Sequence, residues 1–290
     1  MNTQAVCWIN GHIVPADQAQ VSVFDHGLLY GDGVFEGLRF YSGKIFRLQE
    51  HLQRLEYSAR AIALPMPLSA EELSRALHDT VAAFAGDNGY LRLVITRGEG
   101  PLGIDPRPCR QPTVFIIADQ LSMISDSIRR QGARLIIAST RRLAADGLDP
   151  RIKSLNYLNH ILARMEANHA QADEAILLNN VGRVAEGTAD NIFIAKSGQL
   201  LTPPVTEGAL QGITRDAILQ LAAAAGITHA ETPLGPYDLY TADECFLTGT
   251  GAELIPVREI DGRPLAQCPG PVFSDLSARF QQLVHAHAIP

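Results

Sequence analysis

The sequence predicts a mixed α+β chain in two domains. A small α+β domain covers residues 1–119, a linker 120–129, and a larger β-rich domain with flanking helices 130–290. Three observations carry this. Segments rich in β-branched and aromatic residues interleave with segments of helical apolar spacing along the chain. The 290 residues suffice for two ordinary domains. Between Asp119 and Arg129 runs a polar stretch with three serines and little periodicity.

Trp8–Val14 reads as a hairpin turning on Asn10-Gly11. A strand from Val34 to Tyr41 meets a Ser42-Gly43 turn. Leu48, Leu52, Leu55, Ala59 and Ile62 recur at helical spacing, which predicts a helix over 48–62. Ser69 and Glu72 form a capping box for a second helix, closed by Gly86. Tyr90–Arg97 and Thr113–Ala118 are strand-like. Beyond the linker, strands are expected over Ala133–Thr140, Ala175–Leu178, Asn191–Ala195, Phe246–Thr248 and Leu254–Ile260. Helices are expected over Leu155–Ala170 and Thr214–Ala225, the latter ending at Gly226, and Pro271 suits the first turn of a last helix.

Bulk properties narrow the function. With 46% apolar and 19% charged residues the chain can bury a core. A net charge of −7 and the lack of a basic block give nucleic-acid binding little support. No signal peptide and no apolar run of membrane-spanning length is evident, so a cytoplasmic enzyme is expected. Cys7, Cys109, Cys245 and Cys268 show no C-x-x-C pairing and read as reduced thiols. The nine histidines form no metal-ligand pattern, and His285 and His287 read as a solvated helix end.

Three of the 24 basic side chains are lysines. Lys44 and Lys196 stand beside Ser-Gly turns and read as solvated hairpin tips. Lys153, in Arg-Ile-Lys-Ser-Leu-Asn-Tyr-Leu-Asn, precedes a largely apolar helix pattern. Desolvation there would favour a neutral amine, which can attack a carbonyl and form a Schiff base. Taken alone it could equally be a surface lysine, but its company is specific: His51-Leu-Gln-Arg54-Leu upstream, then Val184-Ala-Glu186-Gly-Thr-Ala-Asp-Asn, Gln211-Gly-Ile-Thr-Arg-Asp and Leu247-Thr-Gly-Thr-Gly-Ala-Glu. In this order and spacing the segments resemble the class IV (fold type IV) pyridoxal phosphate (PLP)-dependent aminotransferases, and most of all their branched-chain amino acid members. The resemblance runs from about Trp8 to the C-terminus and implies the two-domain fold type IV architecture, like that of D-amino acid aminotransferase.

The resemblance implies a role for each matched residue. Lys153 would anchor pyridoxal 5′-phosphate and then act as general base and acid. Glu186 would pair with the pyridine nitrogen, and Tyr157 would approach the ring hydroxyl. Arg54 and the helix start at Gly212, Ile213 and Thr214 would grip the phosphate, with Thr250 closing the site. Thr250, Gly251 and Ala252 would offer backbone N–H groups to the substrate α-carboxylate. Tyr30 and Phe35, in Tyr-Gly-Asp-Gly-Val-Phe-Glu-Gly-Leu-Arg, would line a side-chain pocket organised by Arg39. In Tyr90-Leu-Arg92, Arg92 would help bind the distal carboxylate of glutamate while aromatic walls accept leucine, isoleucine or valine.

The leading expectation is transamination between L-branched-chain amino acids and 2-oxoglutarate. Proline, leucine and glycine at 101–103 replace the arginine and histidine that D-specific relatives carry in this loop, which favours L-substrates. A D-amino acid aminotransferase, an aminodeoxychorismate lyase, and a non-catalytic PLP-binding protein stay open as alternatives. The partners implied are amino acid and 2-oxo acid substrates and a second copy of the chain. Family members are homodimers, and some branched-chain members form hexamers.

Overall fold

The computed structural model describes residues 5–121 and 125–288. They divide into two compact units, one of residues 5–121, 152–156 and 284–288, the other of 125–151 and 157–283. The expected continuous domains, 1–119 and 130–290, thus differ from the units at 152–156 and at the C-terminal end.

The first unit opens with strands β1 (Val6–Ile9) and β2 (His12–Pro15), joined by Asn10 and Gly11 at φ 46° and 99°. Two successive positive φ values are what a tight hairpin turn demands of an Asn-Gly pair. A short helix α1 (His26–Tyr30) follows, then β3 (Gly33–Tyr41) and β4 (Lys44–Ile45). Helices α2 (Leu48–Ala61) and α3 (Ala70–Ala83) lead to β5 (Gly89–Thr96) and β6 (Thr113–Asp119). The capping box at Ser69 and Glu72 is formed. The helix it opens ends at Ala83, three residues before the expected Gly86, because Phe84 turns to an extended conformation and buries its ring. The six strands form an antiparallel sheet in the order β2-β1-β6-β5-β3-β4.

Strand alternation sorts β3 into two rows. Val34, Leu38 and Phe40 join Leu91, Leu93, Ile95 and Ile116 in a core shared with Leu52 and Leu55 of α2 and Leu73 and Leu77 of α3. Phe35, Gly37 and Arg39 lie in the other row, opposite Val94, Arg92 and Tyr90 of β5. Residues 152–156 run beside β3: Phe35 N–H donates to Lys153 O and Leu155 N–H to Gly33 O, both at 3.0 Å. This pairing explains why the helix expected from Leu155 begins only at Leu158.

In the second unit, α4 (Asp126–Gln131) takes up the last four residues of the expected linker. Ser125 Oγ accepts from Ile128 N–H, so one of the serines that made the stretch look like a loop is a helix cap. Residues 122–124 of that linker lie outside the described residues. Strand β7 (Ala133–Ile137) stops short of Thr140, since the N–H and hydroxyl groups of Ser139 and Thr140 all donate to the Glu166 carboxylate. Helix α5 (Leu158–His169) and strands β8 (Glu174–Leu178), β9 (Val184–Gly187), β10 (Asn191–Lys196) and β11 (Gln199–Thr202) follow. The rest is α6 (Ile213–Ala224), β12 (His229–Glu231), α7 (Pro236–Tyr240), β13 (Glu244–Gly249), β14 (Glu253–Ile260), β15 (Arg263–Pro264) and α8 (Pro271–Ala288).

The nine strands order as β12-β11-β10-β13-β14-β7-β8-β9, with β15 on β14. Pairing is mixed: β14-β7, β7-β8 and β11-β12 are parallel and the other pairs antiparallel. Leu135, Ile176, Ile192, Ile194, Leu247, Ile255 and Val257 form its core with Leu239 of α7.

Two side chains expected in solvent are engaged. Lys196 Nζ donates to Thr241 Oγ1 at 2.8 Å, and the His287 ring hydrogen-bonds Ile45 O at 3.0 Å and packs on Phe46. All four cysteines are free thiols. Among the described residues, no helix is long and apolar enough to cross a membrane, and no group of three or more acidic, histidine or cysteine side chains could hold a metal ion.

Candidate active site

In the first unit the structure gathers Lys153, Phe35 and Arg92. The Phe35 ring is buried, with Lys153 Nζ 4.6 Å and Arg92 Cζ 4.2 Å from its centroid. An ammonium or guanidinium at such a distance gains from the negative face of a ring. Lys153 is held by its backbone: its carbonyl accepts from Phe35 N–H, and its own N–H donates to Ser58 Oγ of α2 at 3.1 Å. Arg39 and Tyr90 share the sheet face of Phe35 and Arg92. Gly37 has no room for a Cβ beneath the Tyr90 phenol, so glycine is what lets that ring lie across the strand. Tyr30 ends α1, and its Oη accepts from Gly103 N–H at 2.9 Å.

Arg54 projects from α2 toward the other row of β3. Its Nε and Nη2 donate to the two oxygens of Glu36 at 2.7 and 2.9 Å, and His51 Nδ1 lies 2.7 Å from Glu36 Oε2. Burial pushes the Glu36 carboxyl up, but the Arg54 guanidinium and the His51 hydrogen bond outweigh it and hold the group far below the usual carboxylate range. Burial also pushes the His51 imidazole down, so it is neutral and its Nδ1–H donates. Neither Glu36 nor His51 was singled out from the sequence. The signal was a glutamate in the apolar row Val34-x-x-x-Leu38, which demands a buried cation.

In the second unit, Glu186 lies buried on β9. Oε1 accepts from Arg142 Nε at 3.0 Å and Oε2 from Leu210 N–H at 2.9 Å. Arg142 Nε is shared with Gly208 O. Leu210 also receives Asn191 Nδ2 on its carbonyl, which ties Glu186 to the loop entering α6. That helix starts at Gly212 with no side-chain cap, and its first-turn Thr214 is buried. Its first N–H groups therefore point out of the helix start as donors. Gly212 packs on Asn191 too closely to carry a Cβ.

Tyr157 stands at the N-cap of α5 and stacks on His160 with centroids 4.6 Å apart. Thr250, Gly251 and Ala252 form the turn between β13 and β14. Gly249, just before it, packs on the Asp190 carboxylate, and the Ala252 carbonyl accepts from Arg129 Nη1. Arg142 is the residue of this unit that sequence reasoning missed, because nothing in Arg141-Arg142 marks which arginine turns inward.

Known proteins share both the sequence and the fold. The sequence model of the family described as Amino-transferase class IV matches residues 33–260. A Methanocaldococcus jannaschii protein named "Putative branched-chain-amino-acid aminotransferase" is 52% identical over 256 residues, 88% of each chain. The crystal structure of the Escherichia coli branched-chain amino acid aminotransferase superposes with a TM-score of 0.93 at 36% identity, covering 96% of this chain and 94% of that one. The branched-chain amino acid aminotransferase of T.th. in complex with N-(5′-phosphopyridoxyl)-L-glutamate gives 0.91 at 36% identity, covering 97% and 94%. The chain belongs to the class IV aminotransferases, a family of enzymes.

Proposed function

We propose that this chain is a PLP-dependent aminotransferase that moves the amino group of L-leucine, L-isoleucine or L-valine to 2-oxoglutarate, yielding the branched-chain 2-oxo acids and L-glutamate. The observation that carries it is the Phe35 ring flanked by Lys153 and Arg92. An apolar wall suits a branched side chain, and a guanidinium on the same ring suits the distal carboxylate of an acidic one. The names and bound ligands of the similar enzymes support the same reading.

The residues fit the cofactor. Glu186 is a buried carboxylate held by Arg142 and Leu210, and an ionised carboxylate has acceptor sites enough to take a protonated ring nitrogen as well. The uncapped start of α6 and the fixed guanidinium of Arg54 are anion-binding groups. Pyridoxal 5′-phosphate, when bound, supplies an aldehyde that takes up an amino group and a ring that withdraws electrons. Lys153 would be the covalent anchor and would hold and move the proton of the substrate Cα. Glu186 would pair with the ring nitrogen, and Tyr157 would orient the ring hydroxyl. Arg54, Gly212, Ile213, Thr214 and Thr250 would bind the phosphate. Thr250, Gly251 and Ala252 would orient the α-carboxylate, and Tyr30, Phe35, Arg39, Tyr90 and Arg92 the side chain.

The D-specific alternative is opposed by Arg97, the arginine that opens the 97–103 loop. Its Nε and Nη2 bind Asp32, Nη2 also binds Ile62 O, and Nη1 binds Ala63 O. It is committed to structure. Free thiols support a cytoplasmic location. A row of exposed apolar residues on α5 supports a homodimer: Leu158, Ile161, Leu162 and Met165.

The test is the visible spectrum of the purified protein. A yellow absorbance that bleaches with L-leucine, returns with 2-oxoglutarate and ignores D-alanine is expected. Bleaching by D-alanine alone would reassign the chain to the D-specific enzymes, and a protein that PLP cannot colour would end the reading.

A further inference from the structure

We propose that Glu36 and His51 are positioning residues for the phosphate grip: Glu36 fixes the guanidinium plane of Arg54, and His51 fixes Glu36. The inference rests on the reading of Arg54 as a phosphate ligand and extends it to two residues that no part of that reading uses.

Glu36 is fully buried in a row whose other members are Val34, Leu38 and Phe40, all in the core. A carboxylate there is costly unless it is paired and hydrogen-bonded. It receives three short bonds, two from Arg54 and one from His51. The two from Arg54 use the Nε–Nη2 edge of the guanidinium. That side-on pairing sets the plane of the group and turns its Nη1 end away from Glu36. An arginine without such a brace distributes over many rotamers and loses entropy on every contact it makes.

His51 completes the brace. It stands one turn before Arg54 on α2, with 1% of its side chain exposed, and its neutral ring contributes a donor and no charge. Ser58, one turn after Arg54, receives Lys153 N–H on its hydroxyl. Residues 51, 54 and 58 share one face of α2 by helical spacing. One polar stripe thus holds the orientation of Arg54 and the backbone of Lys153.

The role predicts a loss confined to the phosphate. Cofactor-free full-length protein is titrated with PLP and, separately, with pyridoxal, which lacks the phosphate. Glu36→Gln and His51→Ala are expected to weaken PLP roughly tenfold or more, as removal of an orienting partner does elsewhere, and to leave pyridoxal unchanged. His51→Asn, which keeps a donor, restores most of the loss. In an Arg54→Gln background, Glu36→Gln adds nothing, because the residue it positions is gone. Unchanged PLP affinity in the Glu36 and His51 variants, with Arg54→Gln weakened, overturns the proposal while leaving the phosphate role of Arg54 intact. Equal losses for PLP and pyridoxal overturn it as well, since they mark a general structural defect. An Arg54→Gln protein that binds PLP normally removes the phosphate reading itself. Should Glu36→Gln not fold, the His51→Ala and His51→Asn pair decides the question.

Discussion

Glu186 lies on a strand where every residue is buried, and its charge is paired with the Arg142 guanidinium. The same Nε–H also serves Gly208 O, so one donor group ties strand β9 to the loop at Gly208. Removing it leaves a buried carboxylate and a buried carbonyl short of partners. Arg142→Met is therefore expected to destabilise the chain by about 3–5 kcal/mol, the usual cost of breaking a buried pair from one side. Urea unfolding followed by far-UV circular dichroism measures this, and a loss under about 1 kcal/mol, that of an ordinary exposed pair, would show that the ion pair is not what holds the loop. Arg142→Lys keeps the charge but lacks the fork, and should recover only part of the loss. Lys153, Arg54 and Glu186 could be singled out from short motifs because each stands in a distinctive local run. Arg142 stands in no such run, and Glu36 and His51, although they lie inside two of those runs, take their roles from pairings 18 and 15 positions away, as Arg142 does from one 44 positions away.

At the level of elements, the amphipathic helices and apolar strands were legible because their cores are periodic. Leu52, Leu55 and Ala59 are buried at the spacing that predicted α2, and the Ser69 capping box is formed as written. What escaped was local sequence overruled by pairing. Ser154 to Asn156 carry the pattern of a helix start, yet Leu155 N–H is taken by Gly33 O and Ser154 bridges Val34, so helix cannot begin until 158. Short strands such as β11 and β12 were missed because four or three residues carry too little pattern to distinguish them from loop. Helix α5 shows the opposite excess. Its buried face holds His160, Ala163 and Ala167, while Leu158, Ile161, Leu162 and Met165 are 67%, 52%, 46% and 59% exposed. Such a row is larger than scattered surface leucines explain and fits a second copy of the chain. If the proposed homodimer pairs through this row, replacing Ile161 and Met165 together by glutamate is expected to give a monomer where the parent chain runs as a dimer, read by light scattering on a sizing column. An unchanged dimer would place the interface elsewhere.

Over the whole chain, acid should be the weak side. Glu36 titrates far below its ordinary range because Arg54 and His51 stabilise its charge against burial. Glu166 falls to about 2, because hydrogen bonds from Ser139 and Thr140 outweigh its desolvation. A carboxylate with a depressed folded-state value contributes stability that is present above its unfolded value, near 4.3. That stability is lost as pH falls toward the folded value. His51 adds to the same side for a different reason. Burial lowers its folded value below the unfolded one, so the unfolded chain binds a proton that the folded chain refuses. Its share is intact above about pH 6.5 and declines as pH falls below that. One group can contribute a slope of at most about 1.4 kcal/mol per pH unit. The melting temperature, followed from pH 8 to pH 3, should therefore hold level, begin to fall gently below about 6.5 and fall steeply near 4, where the carboxylates of the unfolded chain take up protons that the folded chain does not. In His51→Asn the gentle stage should vanish while the steep one stays. A curve for that variant parallel to the parent between pH 6.5 and 5 would mean that His51 binds its proton alike in the folded and unfolded chain, and that burial does not hold it neutral into that range.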